Sequence, residues 1–318
     1  MNTCFFKSDK DLNCLAFHPT LDLLVSGSIN GHLDIFKFDE IGGELVKESS
    51  NSTTHSSSVR ISKFSPDGTE IMSASSDKTV SLTDFHSNKV KWTGKGHKNP
   101  VNCACYIKES ILASGDDEGE IRIWDTRAKS SCIGKINEFS DCVTDLMVGR
   151  DSNELIATCA DQIGCFDHRK FKLKALSDNT DHEFLAMTLV KKGKKVICGT
   201  STGSICFFTY GFWGDLNDII PVNKETVNGI VKVTEDLVCT CGDDGEIYVV
   251  QLFPNKVLGK LKDFKNLDVK VRSTDSLTIN HNNTLLGFLA NFEYVFLTST
   301  DEANRLLSND QPDFFDEI

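Results

Sequence analysis

The chain has 318 residues, a mass of 35.2 kDa and 39% hydrophobic residues, enough for one large domain or two ordinary ones around a buried core. Its net charge of −12 and pI near 5.1 repel phosphate backbones at long range, which disfavours direct nucleic-acid binding through a broad basic face. No run of about 18 apolar residues is present to span a bilayer, and the opening MNTCFFKSDKD lacks the apolar stretch of a secretory leader, so neither membrane insertion nor secretion is expected.

In chain order, the alternating Thr3 to Lys7 segment reads as a strand, and Leu15-Ala16-Phe17-His18-Pro19 opens the first of a series of similar units. Each unit has an apolar run, a Gly/Asp/Asn turn and a second apolar run. The last core residue of each falls at Phe36, Thr83, Trp124, Phe166, Phe208, Val250 and Leu297, separated by 47, 41, 42, 42, 42 and 47 residues. A period near 42 with four short strands per unit is the signature of a β-propeller blade, so residues 1–300 are predicted to form one all-β, seven-bladed propeller. The last unit runs out after its third strand, and the Thr3–Lys7 segment is expected to supply the missing outer strand and close the ring.

Between the first two units, residues 41–58 contain ESSNSTTHSSS and read as a polar, mobile loop. The basic runs Lys191-Lys192-Gly193-Lys194-Lys195 and His168-Arg169-Lys170-Phe171-Lys172 are the candidates for a local basic patch, but such runs ordinarily mark solvated loops and are read so here. Residues 301–318 read as an acidic tail ending QPDFFDEI. The 12 cysteines, among them Cys103, Cys105, Cys198, Cys206, Cys239 and Cys241, fall in apolar alternation without Cys-x-x-Cys or zinc-site spacing. Small core hydrophobes in a reducing, intracellular compartment are expected.

The unit from Gly96-His97 to Trp124-Asp125 carries the Gly-His and Trp-Asp dipeptides of WD repeats, and the chain resembles that class. The resemblance implies a buried relay of His, Ser/Thr, Asp and Trp that fixes blade geometry. In the third blade its members are His97, Ser114 and Trp124, with Glu118 in the Asp slot. In the second they are His55, Ser73 and Asp77, with Thr83 replacing Trp. The sixth keeps Thr240 and Asp244, and the first and last have Asn30 and Asn291 in the turn.

Gly115-Asp116-Asp117-Glu118-Gly119-Glu120-Ile121 and Gly242-Asp243-Asp244-Gly245-Glu246-Ile247 invite a calcium or acid/base reading. Counting an EF-hand loop from Asp116 puts Arg127 at its last ligand position, and counting from Asp243 puts Pro254 there, so both copies fail. Turn chemistry fits better: Gly119 and Gly245 supply a positive φ between two strands. No nucleophile elbow, phosphate loop or zinc-protease motif occurs, so a non-catalytic scaffold without cofactor or metal is expected.

Beyond the generic repeat, the chain resembles the WD-repeat-containing protein 55 family. The matching segments are Phe17-His18-Pro19 with Asp22-Leu23-Leu24, Leu112 to Asp117 leading to Ile121 to Asp125, Gly193 to Val196 with Cys198-Gly199, Pro254 to Gly259, Tyr210 to Asp215, and Asp313-Phe314-Phe315. The resemblance implies a nuclear, largely nucleolar protein in ribosomal RNA production and large-subunit assembly, with protein or pre-60S partners and, in this reading, a monomer.

A second resemblance lies in Trp124-Asp125-Thr126-Arg127, repeated as Phe166-Asp167-His168-Arg169. It is similar to the box used by receptors of cullin-4 ubiquitin ligases, which would make Asp125, Arg127, Asp167 and Arg169 adaptor contacts; the alternative is that each Arg pairs within its own blade. Phe212 and Trp213 read either as blade packing or as a partner hot spot. Phe314 and Phe315 either tuck against the ring or form a docking peptide.

Overall fold

A computed structural model describes residues 3–39, 44–51, 54–128, 131–261 and 271–309. These residues form seven antiparallel four-stranded sheets, each a blade of consecutive strands except the last. The third blade is representative, running outward from Val101–Lys108 through Ile111–Asp116 and Ile121–Asp125 to Ser131–Ile136. Its third strand, IRIWD, is buried at Ile121, Arg122, Ile123 and Trp124 because neighbouring blades cover both of its faces. Ile121 and Ile123 pack with Val143, Leu155 and Phe166 of the fourth blade. Trp124 and Leu112 pack the opposite way, against Leu82 and Trp92 of the second.

One register repeats around the ring. The second residue of each second strand pairs with the same third-strand position: Leu24 with Phe36, Ile71 with Thr83, Leu112 with Trp124, Leu155 with Phe166, Val196 with Phe208, Val238 with Val250, and Leu286 with Thr298. The first six are the residues the sequence period marks. In the last blade the position belongs to Thr298, one residue later than the period places it.

The ring closes as expected. Strand Cys4–Lys7 pairs with Tyr294–Ser299, Cys4 opposite Leu297 and Lys7 opposite Tyr294. Leu12, Leu15, Phe17, Leu24 and Phe36 of the first blade bury against Leu289, Val295 and Leu297 of the last, each such side chain stabilising the closure by about 1.5–3 kcal/mol. The open edge of the first inner strand is also covered. Leu15 N donates to Ser276 Oγ over 3.2 Å and Phe17 N to Thr278 Oγ1 over 3.3 Å, both acceptors lying on the last blade.

Two segments differ from expectation. Within the Ser-rich stretch, Glu44–Asn51 is an eight-residue outer strand paired to Leu33–Asp39; polar composition does not prevent an edge strand, whose inner edge is held by the ladder and whose outer edge can face water. In the acidic tail, Asp301–Asn309 is a helix with Asp301 and Glu302 in its first turn, where the helix dipole favours negative charge. Its Ala303 is fully buried, and Leu306 and Leu307 pack into the core shared by blades six and seven. Phe314 and Phe315 lie outside the described residues. All twelve cysteines are free thiols. Those in the core behave as small hydrophobes, and burial pushes Cys105 up to about 12.

Candidate interaction surfaces

The second-to-third-strand turns gather on one face of the ring, held by the relay. In the third blade, Trp124 Nε1–H donates to Ser114 Oγ over 2.8 Å, Ser114 Oγ–H to His97 Nε2 over 2.7 Å, and His97 Nδ1–H to Asp116 Oδ2 over 2.9 Å. The carboxylate is therefore Asp116, not Glu118. Asp116 ends the second strand fully buried, while Glu118 stands two residues further on in the turn, exposed, and gives Asp116 only its backbone N–H over 3.1 Å. Burial pushes the Asp116 carboxyl up, but the bonds from His97 and from the Glu120 N–H outweigh it and hold the group below the usual carboxylate range.

In the second blade, His55 Nε2 meets Ser73 Oγ at 2.8 Å and His55 Nδ1 meets Asp77 Oδ2 at 3.0 Å. Thr83, where the third blade has Trp, leaves its buried hydroxyl without a partner among the described residues. The sixth blade substitutes Asn223 for His, and its Oδ1 accepts from Thr240 Oγ1 over 2.8 Å. Asp244 is diverted to Lys224 N at 3.0 Å and Tyr248 OH at 2.8 Å.

The turn glycines have two reasons to be glycine. Gly119 has φ +84 and a Cβ there would come within 2.7 Å of the Phe139 carbonyl; Gly245 has φ +71 and would meet Val271 O at 3.0 Å. Among the described residues, one group brings possible metal ligands close together, His97, Asp116 and Glu120, within 4.8 Å of one another. These atoms are committed to the blade. His97 holds Asp116 and Ser114, and Glu120 pairs with Arg122 and with Lys135 at 3.4 Å.

A channel of about 640 Å³ runs through the ring between the inner strands. In six blades the inner strand carries a bulge at its second residue, which turns Asn13, Arg60, Asn102, Thr144, Leu185 and Asp275 toward the mouth. Several of these side chains stitch one blade to the next. Asn13 Nδ2 donates to Val59 O at 3.1 Å, Arg60 Nη1 to Asp117 Oδ1 at 2.5 Å and Asn102 Nδ2 to Val143 O at 3.0 Å. Deeper, Asp145 Oδ2 accepts from Met187 N over 3.0 Å. Burial pushes its carboxyl up, against the opposing pull of Lys63 and that N–H.

On the opposite face, Arg127 forms a two-point bond to its own Asp125, Nε to Oδ1 at 2.9 Å and Nη2 to Oδ2 at 2.5 Å, and this pairing draws the Asp125 carboxyl down to about 2. Arg127 remains 73% exposed. One blade on, Arg169 lies 3.7 Å from Asp167 and is also mostly exposed. The two neighbours in the aromatic insertion separate cleanly: Trp213 is buried, packing edge-on against Tyr210 at 5.1 Å, whereas Phe212 is 75% exposed. Beside the first two blades, a groove of about 980 Å³ is lined by Leu21, Leu23, Ile35, Val46 and Phe85.

Aromatic staples on this face were not read from the sequence. His18 packs edge-on against Phe64 at 4.8 Å and against Phe85 at 5.5 Å, joining blades one and two. Tyr210 of blade five lies under Arg150 of blade four at 5.2 Å. Phe253 of blade six lies under Lys191 of blade five at 5.3 Å. The aromatics Phe85, Tyr210 and Phe253, each one or two residues past the third strand of its blade, are the signal that could have revealed them.

Seven four-stranded blades, a closing N-terminal strand and a His-Ser-Asp-Trp relay define a WD-repeat propeller, a class of scaffold that presents surfaces to other molecules. The chain belongs to the WDR55 family, whose model matches residues 5–295. It is 30% identical over 289 residues to WD repeat-containing protein 55 of Arabidopsis thaliana, covering 90% of this chain and 79% of that protein. It is 32% identical over 249 residues to the Bos taurus and Homo sapiens proteins of the same name, covering 78% of this chain in each case and 65% and 64% of theirs. The match thus spans a little under two thirds of the mammalian relatives. No helix among the described residues is long and apolar enough to cross a membrane.

Proposed function

We propose that this propeller is a non-catalytic scaffold of the nucleus and nucleolus that acts in ribosomal RNA production and large-subunit assembly, binding pre-60S particles through protein contacts. Its support is the family match across residues 5–295, which takes in nearly every blade. A tagged copy should co-sediment with pre-60S particles, and its depletion should cause large-subunit precursor RNA to accumulate. Free sedimentation together with normal processing would sink the proposal.

A second reading has one observation in its favour. Arg127 and Arg169 stand on adjacent blades, on one face, both largely exposed, as contacts for a cullin-4 ligase adaptor would require. Against it, each is already drawn to an Asp of its own blade. Arg127→Ala combined with Arg169→Ala should abolish adaptor capture by a folded ring; unchanged capture removes this reading.

A further inference from the structure

The net charge of −12 conceals a place where cations collect. The hairpin Lys191-Lys192-Gly193-Lys194-Lys195 joins the first two strands of blade five, on the face opposite the relay turns. Arg150 of blade four lies across it, since a Cβ at Gly193 would come within 3.1 Å of the Arg150 side chain. Tyr210 N bonds Lys194 O at 3.0 Å, tying the next hairpin to the same spot. Lys195, Thr209 and Phe212 are successive cross-strand partners. Phe212 therefore stands about 10 Å from Lys195, two strand spacings away.

Two exposed rings border these cations. Phe212 is 75% exposed, and Phe253, 44% exposed, has Lys191 at 5.3 Å and Lys195 at 5.7 Å from its centroid. Among the described residues, Arg150, Lys192 and Lys194 have no carboxylate partner for their side chains. The nearby acids are largely occupied: Asp236 by Lys191, Glu235 by Lys232 at 2.7 Å and by the Lys192 N–H at 2.6 Å, and Glu154 by Lys174 and the Tyr210 hydroxyl.

We propose that this rim of blades four to six, built on Arg150, Lys192, Lys194, Lys195, Phe212 and Phe253, binds single-stranded nucleic acid. Lysines meet the phosphates as point charges and the exposed rings stack bases, a pairing that tolerates many sequences. An acidic peptide is the weaker fit, because its carboxylates would engage the cations and leave the exposed rings of Phe212 and Phe253 without the flat faces that bases offer for stacking. The inference goes beyond the ribosomal reading and does not depend on it. The whole-chain charge argument fails locally because, at physiological salt, charges more than about 8 Å away are largely screened.

The test is fluorescence anisotropy with a labelled twelve-nucleotide oligouridine and the full chain. With three uncompensated cations engaged, log K should fall against log salt with a slope of about −2, so affinity drops roughly tenfold to twentyfold between about 50 and 200 mM salt. Lys192→Asn with Lys194→Ser, Asn being chosen because residue 192 has φ +54, should weaken binding at least about tenfold and flatten that slope to near −0.7. Phe212→Ala should weaken it about fivefold or more without changing the slope. Circular dichroism should show both variants folded. Absence of binding at low salt, indifference to Phe212→Ala, or equal competition by polyglutamate would each overturn the proposal, the last in favour of an acidic peptide.

Discussion

His97 Nδ1 donates to Asp116 Oδ2 over 2.9 Å, with both side chains only 1% exposed. Glu118, two residues on, projects into water. Asp116→Asn removes a buried, ionised acceptor and is expected to cost about 1.5–3 kcal/mol, whereas Glu118→Gln should stay within about 0.5 kcal/mol. Urea unfolding of the two variants decides between them; equal losses would restore Glu118 to the relay.

Thr83 Oγ1 is buried and unpartnered among the described residues: Thr83 holds the position from which Trp124 reaches Ser114 in the next blade, and its short side chain makes no such bond. Thr83→Val keeps the shape and removes a dehydrated hydroxyl. The urea midpoint should therefore stay level or rise by the equivalent of about 1 kcal/mol. A loss larger than that would show that the hydroxyl has a partner.

His18 is buried between Phe64 and Phe85, with Nε2–H donating to Gly68 O at 3.1 Å and Nδ1 accepting from Thr20 N at 3.2 Å and Leu21 N at 3.1 Å. Burial lowers its pKa, against the Gly68 bond that raises it; His281 and His86 add to the lowering. A histidine held neutral by the fold contributes stability that is fully present above its unfolded pKa near 6.5 and is lost as pH falls through the lower folded value. Between about pH 7.5 and pH 5, the urea midpoint of the native chain should fall more than that of His18→Asn. Parallel curves would contradict this.

The helix Asp301–Asn309 fastens to the ring through Ala303, which is fully buried, and through Leu306, whose methyls lie 3.5 Å from a Cβ position at Gly259. Ala303→Glu should cost about 2 kcal/mol or more by burying a carboxylate without a partner, whereas Asn304→Ala on the exposed side should be nearly neutral. Thermal melts of the two variants provide the comparison.

The seven-bladed ring was legible because a blade is a local object. Four strands joined by tight turns impose a period that Phe36, Trp124, Phe166 and Phe208 report directly. The relay was legible only in part. Counting back from Trp124 puts Glu118 level with Asp77, but the longer Glu side chain is left outside while Asp116, on the strand end, reaches His97 instead. Thr298 escaped for a similar reason, since adjacent Leu297 is the stronger apolar signal and only the pairing with Leu286 reveals the register.

Other features depend on partners distant in sequence. Glu44–Asn51 is too polar to announce a strand, yet its ladder with Leu33–Asp39 orders it. Phe212 and Trp213 are indistinguishable as letters, and strand alternation sends one to water and the other to the core. The inner-strand bulges add one residue without disturbing the apolar pattern, so the channel mouth leaves no trace in the period.

By itself the sequence determined the fold class, the number of blades, the closing strand and the family, because these rest on local periodicity and on contiguous motifs. Tertiary structure alone decided which carboxylate completes the relay, which aromatic faces solvent, and that Arg150, Lys192, Lys194 and Phe253 share one rim. Ring closure sets those distances, and it brings together side chains from turns that follow one another only once per blade.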